Sequence, residues 1–199
     1  MNHVRCRIKL EKTYNVYLKK IAKSIGIISK AKQFLNNTTL LQLYYSFTYP
    51  YINYGNIIWG YAPATTIWPI FKLKKIALRI ITNTRRGNST QSQSKKLRIL
   101  RTPDIYIYIT SLFMYKYVHH MLPPSLESLF QKNNTNHTYS TRGANNLRTP
   151  KIKTTLAEKF ITFTGVQIWN SIITKIDTSL KISTFKQHLI TYLTSKYND

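Results

Sequence analysis

The chain has 199 residues, with 30 Lys and Arg against 6 Asp and Glu, a formal charge of +24. That length fits one domain or two small ones, and a hydrophobic content of 43% with 13% aromatics excludes a disordered tail. A single cysteine, Cys6, excludes an internal disulfide or a multi-cysteine zinc site, and the scattered carboxylates exclude a self-contained two-metal centre.

Residues 3–11 alternate, with Val4, Cys6, Ile8 and Leu10 on one side and Arg5, Arg7, Lys9 and Glu11 on the other. Period two predicts a half-buried strand. Such a strand either pairs with one much later in the chain or is a remnant whose sheet lies elsewhere. Residues 13–35 switch to helical spacing, with Tyr14, Leu18, Ile21, Ile25, Ile28 and Leu35 on one face. Lys12, Lys19, Lys23 and Lys30 form a narrow stripe opposite, and Lys32 falls on the apolar side. The stripe lacks the acidic partners at i±4 that solvated helix faces usually carry.

A second helix is predicted over 39–49, ended or kinked by Pro50. Residues 51–60 continue as helix with a break near Gly55, and 62–65 form a turn. A third helix covers 66–82, with Ile70, Leu73, Ala77, Ile80 and Ile81 buried and Lys72, Lys75 and Arg79 on another face. The first three helices are expected to pack around Ile21, Ile25, Leu41, Tyr44, Leu73 and Ile80, and their two basic faces to join into one surface. Residues 83–96 are wholly polar and read as a linker carrying Arg85, Arg86, Lys95 and Lys96.

Thr102-Pro103-Asp104 predicts a capped helix start, and the helix runs to about His120. Pro123-Pro124-Ser125 opens a short helix, and 131–155 are loop-like. Residues 160–164 read as a short strand, 165–173 as a helix anchored by Trp169, and Ser183-Thr184 as the cap of a last helix. The fold class is mainly α: a helical bundle over 13–84, a basic linker over 85–102, and a smaller helical region over 103–199 with one or two short strands.

No catalytic constellation emerges. Asp104, Glu127, Glu158 and Asp177 stand singly, His119-His120 are adjacent rather than at ligand spacing, and no glycine-rich phosphate loop occurs. No cofactor or metal is therefore expected. The charge points first to nucleic acid, held through phosphates, and only second to an anionic membrane. The bland alternative is compositional: the chain is crowded with Asn, Lys, Ile, Tyr and Thr. Most tyrosines are expected in the core. No secretory signal is visible, and the uncharged stretch 36–71 is broken by Pro and Gly, so no membrane partner is expected and the setting is nuclear or cytoplasmic.

Seven segments stand in a distinctive order: KIAKSIGIISKAKQFL (20–35), LLQLYYSFTYPYINYGNIIWG (40–60), LKKIALRIITNTRR (73–86), YITSLFMYKYVHHMLPPSLESLF (108–130), YSTRGANNLRTP (139–150), GVQIWNSI (165–172) and TFKQHLITYL (184–193). This series resembles the region downstream of the polymerase palm in reverse transcriptases of non-LTR (LINE-like, jockey-type) retrotransposons. The resemblance implies a helical thumb that grips the template–primer duplex by its backbone, followed by a helical C-terminal region. It implies a truncated piece of an RNA-directed DNA polymerase, because the paired aspartates of the family's palm have no counterpart here. The chain would then be no enzyme on its own, with RNA/DNA duplex or hybrid, and the absent palm, as partners. Its binding residues would be Lys19, Lys23, Lys30, Lys72, Lys75, Arg79, Arg85 and Arg86. The competing class is a basic helical RNA-binding protein of ribosomal or maturase-like type.

Overall fold

The start of the chain is helical. In the computed structural model, which describes residues 2–54, 56–60, 64–85, 88–133, 146–155 and 157–197 (side chains from Tyr14 on, apart from Ile58, Trp59 and Ala64), helix α1 runs unbroken over Asn2–Ala31. The strand expected over 1–12 is thus corrected. A strand needs a neighbour to satisfy its backbone N–H and C=O groups, and extended pairing among the described residues is limited to an isolated antiparallel bridge between Lys132 and Leu147. A helix satisfies those groups internally, and Arg, Lys, Leu and Glu are good helix formers. The fold is mainly α.

The described residues divide into two compact units: those of 2–56 and 64–102 with Tyr197, and those of 57–60 and 103–196. In the first unit α1 is followed by α2 (Asn37–Leu43), capped by the Asn36 carboxamide, whose oxygen accepts the Thr39 N–H at 2.8 Å. A π-helical turn over Tyr44–Thr48 leads into α3 (Tyr49–Asn53), and the short α4 (Asn56–Trp59) starts at the last residue of this stretch of the unit, its other residues belonging to the second. Leu40, Tyr44, Thr48, Ile52 and Asn56 are all buried, at a strict spacing of four. At 3.6 residues per turn that repeat drifts by about 40° at each step, and the wider turn takes up part of the drift. It also makes room for Pro50, whose ring would otherwise press on the carbonyl four residues before it.

Helix α5 spans Ala64–Thr82. The Tyr14 hydroxyl donates to the Thr66 carbonyl, and Lys32 Nζ donates to Asn83 Oδ1 at 2.7 Å. The sequence separations of these ties, 52 and 51, are nearly equal, so α1 and α5 run parallel. The segment between them runs back: Ser24 meets Thr48 hydroxyl to hydroxyl at 2.9 Å, while Tyr17 lies against Tyr51 and Tyr54. Lys32, on the apolar side by sequence spacing, lies just past the end of α1.

Ile21, Ile25 and Tyr44 are buried as expected, but Leu41, Leu73 and Ile80 are only half-buried. Leu40 on α2 and Leu78 on α5 are buried in their stead, and Ile70, Ala77 and Ile81 are buried as expected. Helix α5 ends with Asn83 left-handed (φ 54°) and the Thr84 N–H bonded to the Arg79 carbonyl at 3.1 Å, a Schellman closure. The stretch expected as a linker over 85–102 is also corrected. It contains α6 (Gln91–Lys96), and Ile99 and Leu100 are buried in the first unit. Burying Ile99 and Leu100 removes apolar surface from water and draws this mostly polar stretch back onto the core.

The Tyr44 ring is 1% exposed and its hydroxyl has no hydrogen-bond partner among the described residues. Burial, reinforced by Tyr45 and Tyr49, pushes its pKa well above the usual value for a phenol. The neutral phenol is therefore favoured by folding, and stability falls as pH rises above the ordinary tyrosine range, where the unfolded chain ionises first. Tyr44→Phe removes an unsatisfied hydroxyl without emptying the site. It is expected to be neutral or to stabilise by about 1 kcal/mol, and to delay alkaline unfolding, as thermal melts across that pH range would show.

The second unit is built on α7 (Thr102–Val118), α8 (Ile161–Ile172) and α9 (Ile182–Ser195), with a 3₁₀ turn over Pro124–Leu129. Residues 160–164, expected as a strand, enter α8 instead. Gly165 lets α7 and α8 close up: a Cβ there would stand 3.0 Å from both Ile161 Cγ1 and Met114 Sδ. The Thr102 hydroxyl does not cap α7 but is buried without a partner among the described residues, and α9 starts at Ile182 with no side-chain cap. Tyr115 stacks on Phe185 at 4.7 Å and on His119 at 4.1 Å, and its hydroxyl donates to the Leu180 carbonyl at 2.6 Å. Asn170 clamps the far end of the long loop: its carboxamide exchanges two hydrogen bonds with the backbone of Leu147.

Candidate nucleic-acid interface

On α1, Ile21, Ser24, Ile25 and Ile28 face the core of the first unit, and Lys19, Lys23 and Lys30 are exposed on the opposite side. At 1.5 Å per residue, the Lys19–Lys30 row extends about 16 Å along the helix, roughly five steps of 3.4 Å along a strand of duplex. None of the three lysines makes an ion pair among the described residues.

On α5 the buried stripe runs through Ile70, Lys74, Ala77, Leu78 and Ile81. Lys72 lies exposed on the far side, with Lys75 and Arg79 half-buried beside it. Arg85 is exposed just beyond the helix, and Arg86 lies outside the described residues. The basic groups here are engaged locally. Lys72 Nζ sits 5.6 Å from the Trp68 ring centroid, Lys75 Nζ sits 4.3 Å from that of Phe71, and Arg79 Nη2 donates to the Asn88 carbonyl at 3.3 Å. Arg79 is thus tied to the loop after its own helix.

Each row lies on the side of its helix opposite the buried stripe, and the sequence from Tyr14 to Thr82 carries no carboxylate.

Sequence reasoning missed the aromatic company of these lysines. Lys20 Nζ lies 5.4 Å from the Tyr51 ring and 5.8 Å from that of Tyr17, which stacks on Tyr54 at 5.1 Å. Trp68 stacks on Phe71 at 5.2 Å. The i, i+4 pairs Trp68–Lys72 and Phe71–Lys75 were the available signal, because residues at that spacing are neighbours on a helix.

In the second unit Lys175 and Lys196 flank Tyr192, at 5.4 and 4.4 Å from its ring. Hydrogen bonding from Lys175, then from Lys196, lowers the pKa of that phenol. Among the described residues no three His, Cys, Asp or Glu side chains gather where they could hold a metal. Asp177 accepts the backbone N–H and the hydroxyl of Ser179, which hold its pKa down, and Glu127 lies 3.9 Å from His120, both exposed. No described helix is long and apolar enough to cross a membrane. No protein-family model, curated protein or solved structure matches this chain.

Proposed function

We propose that this chain binds nucleic acid through phosphates and carries out no chemistry of its own, in the manner of the thumb of a non-LTR reverse transcriptase. The ligand is an RNA/DNA duplex or hybrid, held with little sequence preference. The observation that carries this reading is the α1 row of Lys19, Lys23 and Lys30: exposed on one face of the helix, without acidic partners among the described residues, in a chain of net charge +24. A solvated helix face needs no such one-sided charge. The order of sequence segments supports the same reading, and so does the helical frame beneath the row.

Phosphate binding releases counterions, so affinity should fall steeply with salt, with a log–log slope near −5 for about six contacts. Replacing Lys19, Lys23 and Lys30 together by Gln is expected to weaken binding to all duplex sequences alike and to flatten the slope by about two to three units. Fluorescence anisotropy of a labelled hybrid across a salt series measures both. Wild-type affinity and slope in the triple variant would show the row to be merely solvated.

A further inference from the structure

The α5 face carries more than charge. Trp68 is 52% exposed although it belongs to a helix whose other side forms the core, and Ile76, two turns further on, is 44% exposed. Trp68 and Phe71 form a stacked pair with rings tilted by 30°. Lys72 and Lys75 each lie over one of these rings, four residues on. A large aromatic surface left in water costs solvation free energy, and here it is interleaved with cations.

We infer that the Trp68–Phe71 pair on α5 is a stacking platform for unpaired bases, with Lys72 and Lys75 receiving the adjoining phosphates. The inference rests on the nucleic-acid reading and adds a substrate class to it: a strand with unpaired bases, as distinct from the paired backbone assigned to α1. Every base offers a π-face, so such a platform tolerates any sequence. The lysines now over the rings are neighbours of the phosphates that a stacked nucleotide would bring, and can turn to them. Charge decides the polymer, since an anion is required. An anionic membrane would be the other candidate, but an inserting helix segregates its apolar residues from its lysines, whereas here Lys72 and Lys75 sit on the aromatic rings themselves.

The test uses the full chain with three probes: a single-stranded oligothymidylate, an abasic strand of equal length, and vesicles containing phosphatidylserine. The abasic strand keeps the phosphates and removes the bases. The wild-type chain is expected to bind the thymidylate about tenfold more tightly than the abasic strand. Trp68→Ala should bind both alike, at the wild-type affinity for the abasic strand and with an unchanged salt slope. Trp68→Phe should keep most of the preference, which separates loss of the ring from loss of the fold. Equal wild-type affinity for the two strands, or a preference that survives Trp68→Ala, would overturn the platform while leaving phosphate binding in place. Failure to bind either strand while the labelled hybrid still binds would overturn the platform alone, and failure to bind the hybrid as well would overturn the nucleic-acid reading itself. If the wild-type chain bound vesicles and not strands, the face would be a membrane contact and the inference would be wrong.

Discussion

Phe185→Ala is expected to destabilise the second unit by about 3–5 kcal/mol, the usual range for emptying a fully buried aromatic site. Phe185 is 0% exposed, stacked on Tyr115 and 6.2 Å from the Trp169 ring. The hole cannot close easily. Tyr115 is pinned by its bond to the Leu180 carbonyl, and His119, stacked on its ring, is tied to the Thr178 carbonyl at 2.9 Å. Urea unfolding followed by circular dichroism should show a lower midpoint with little change in slope. Phe185→Leu, which keeps most of the volume, should cost clearly less. A loss below about 1 kcal/mol for Phe185→Ala would mean that this aromatic stack does not hold the unit together.

Ile21→Ala should cost about 2–5 kcal/mol in the first unit. Ile21 is 0% exposed at the middle of α1. Its carbonyl accepts the Ser24 hydroxyl at 2.8 Å, and Ser24 in turn meets Thr48. That network fixes the helix against the π-turn and limits how far the site can relax. The better helix propensity of alanine returns only a few tenths of a kcal/mol. Ile27→Ala on the same helix is the control: its side chain is 55% exposed, and the change should stay within about 0.5 kcal/mol. Equal losses at the two positions would contradict the burial pattern.

Most helices were legible because their apolar spacing is regular. Ile21, Ile25 and Ile28 repeat at three and four, and the structure buries all three. The first twelve residues were not legible, because Val4, Cys6, Ile8 and Leu10 alternate as a strand would while helix α1 extends through them. Period two is a statement about side chains and does not supply the neighbouring strand that backbone groups require. The π-turn was hidden for a related reason: a repeat of four, from Leu40 to Asn56, fits a helical pattern closely enough to pass for one. At the interface, counting charges located the lysines but not their surroundings. Asn88 as a partner of Arg79 depends on how the loop returns, and no local pattern encodes that. Trp68 was readable in principle, but an aromatic residue at helical spacing is normally a core residue.

The parallel pairing of α1 with α5 has a consequence for the order in which the molecule is made. The ties that align these helices span 51 and 52 residues, so the ribosome must have passed Thr66 before α1 can meet α5 at one end, and Asn83 before the pairing is complete. Until then Ile21, Ile25 and Ile28 have only the returning segment 37–56 to cover them. The first unit waits longer still for its last piece. Tyr197 is 1% exposed, its hydroxyl accepts the Arg101 N–H at 2.8 Å, and its ring lies 4.2 Å from the Arg101 guanidinium, across a separation of 96 residues. Long-range closures of this kind slow folding. A nascent chain halted before Tyr197 therefore presents an unfinished apolar surface, the condition under which chaperones are recruited and neighbouring chains associate.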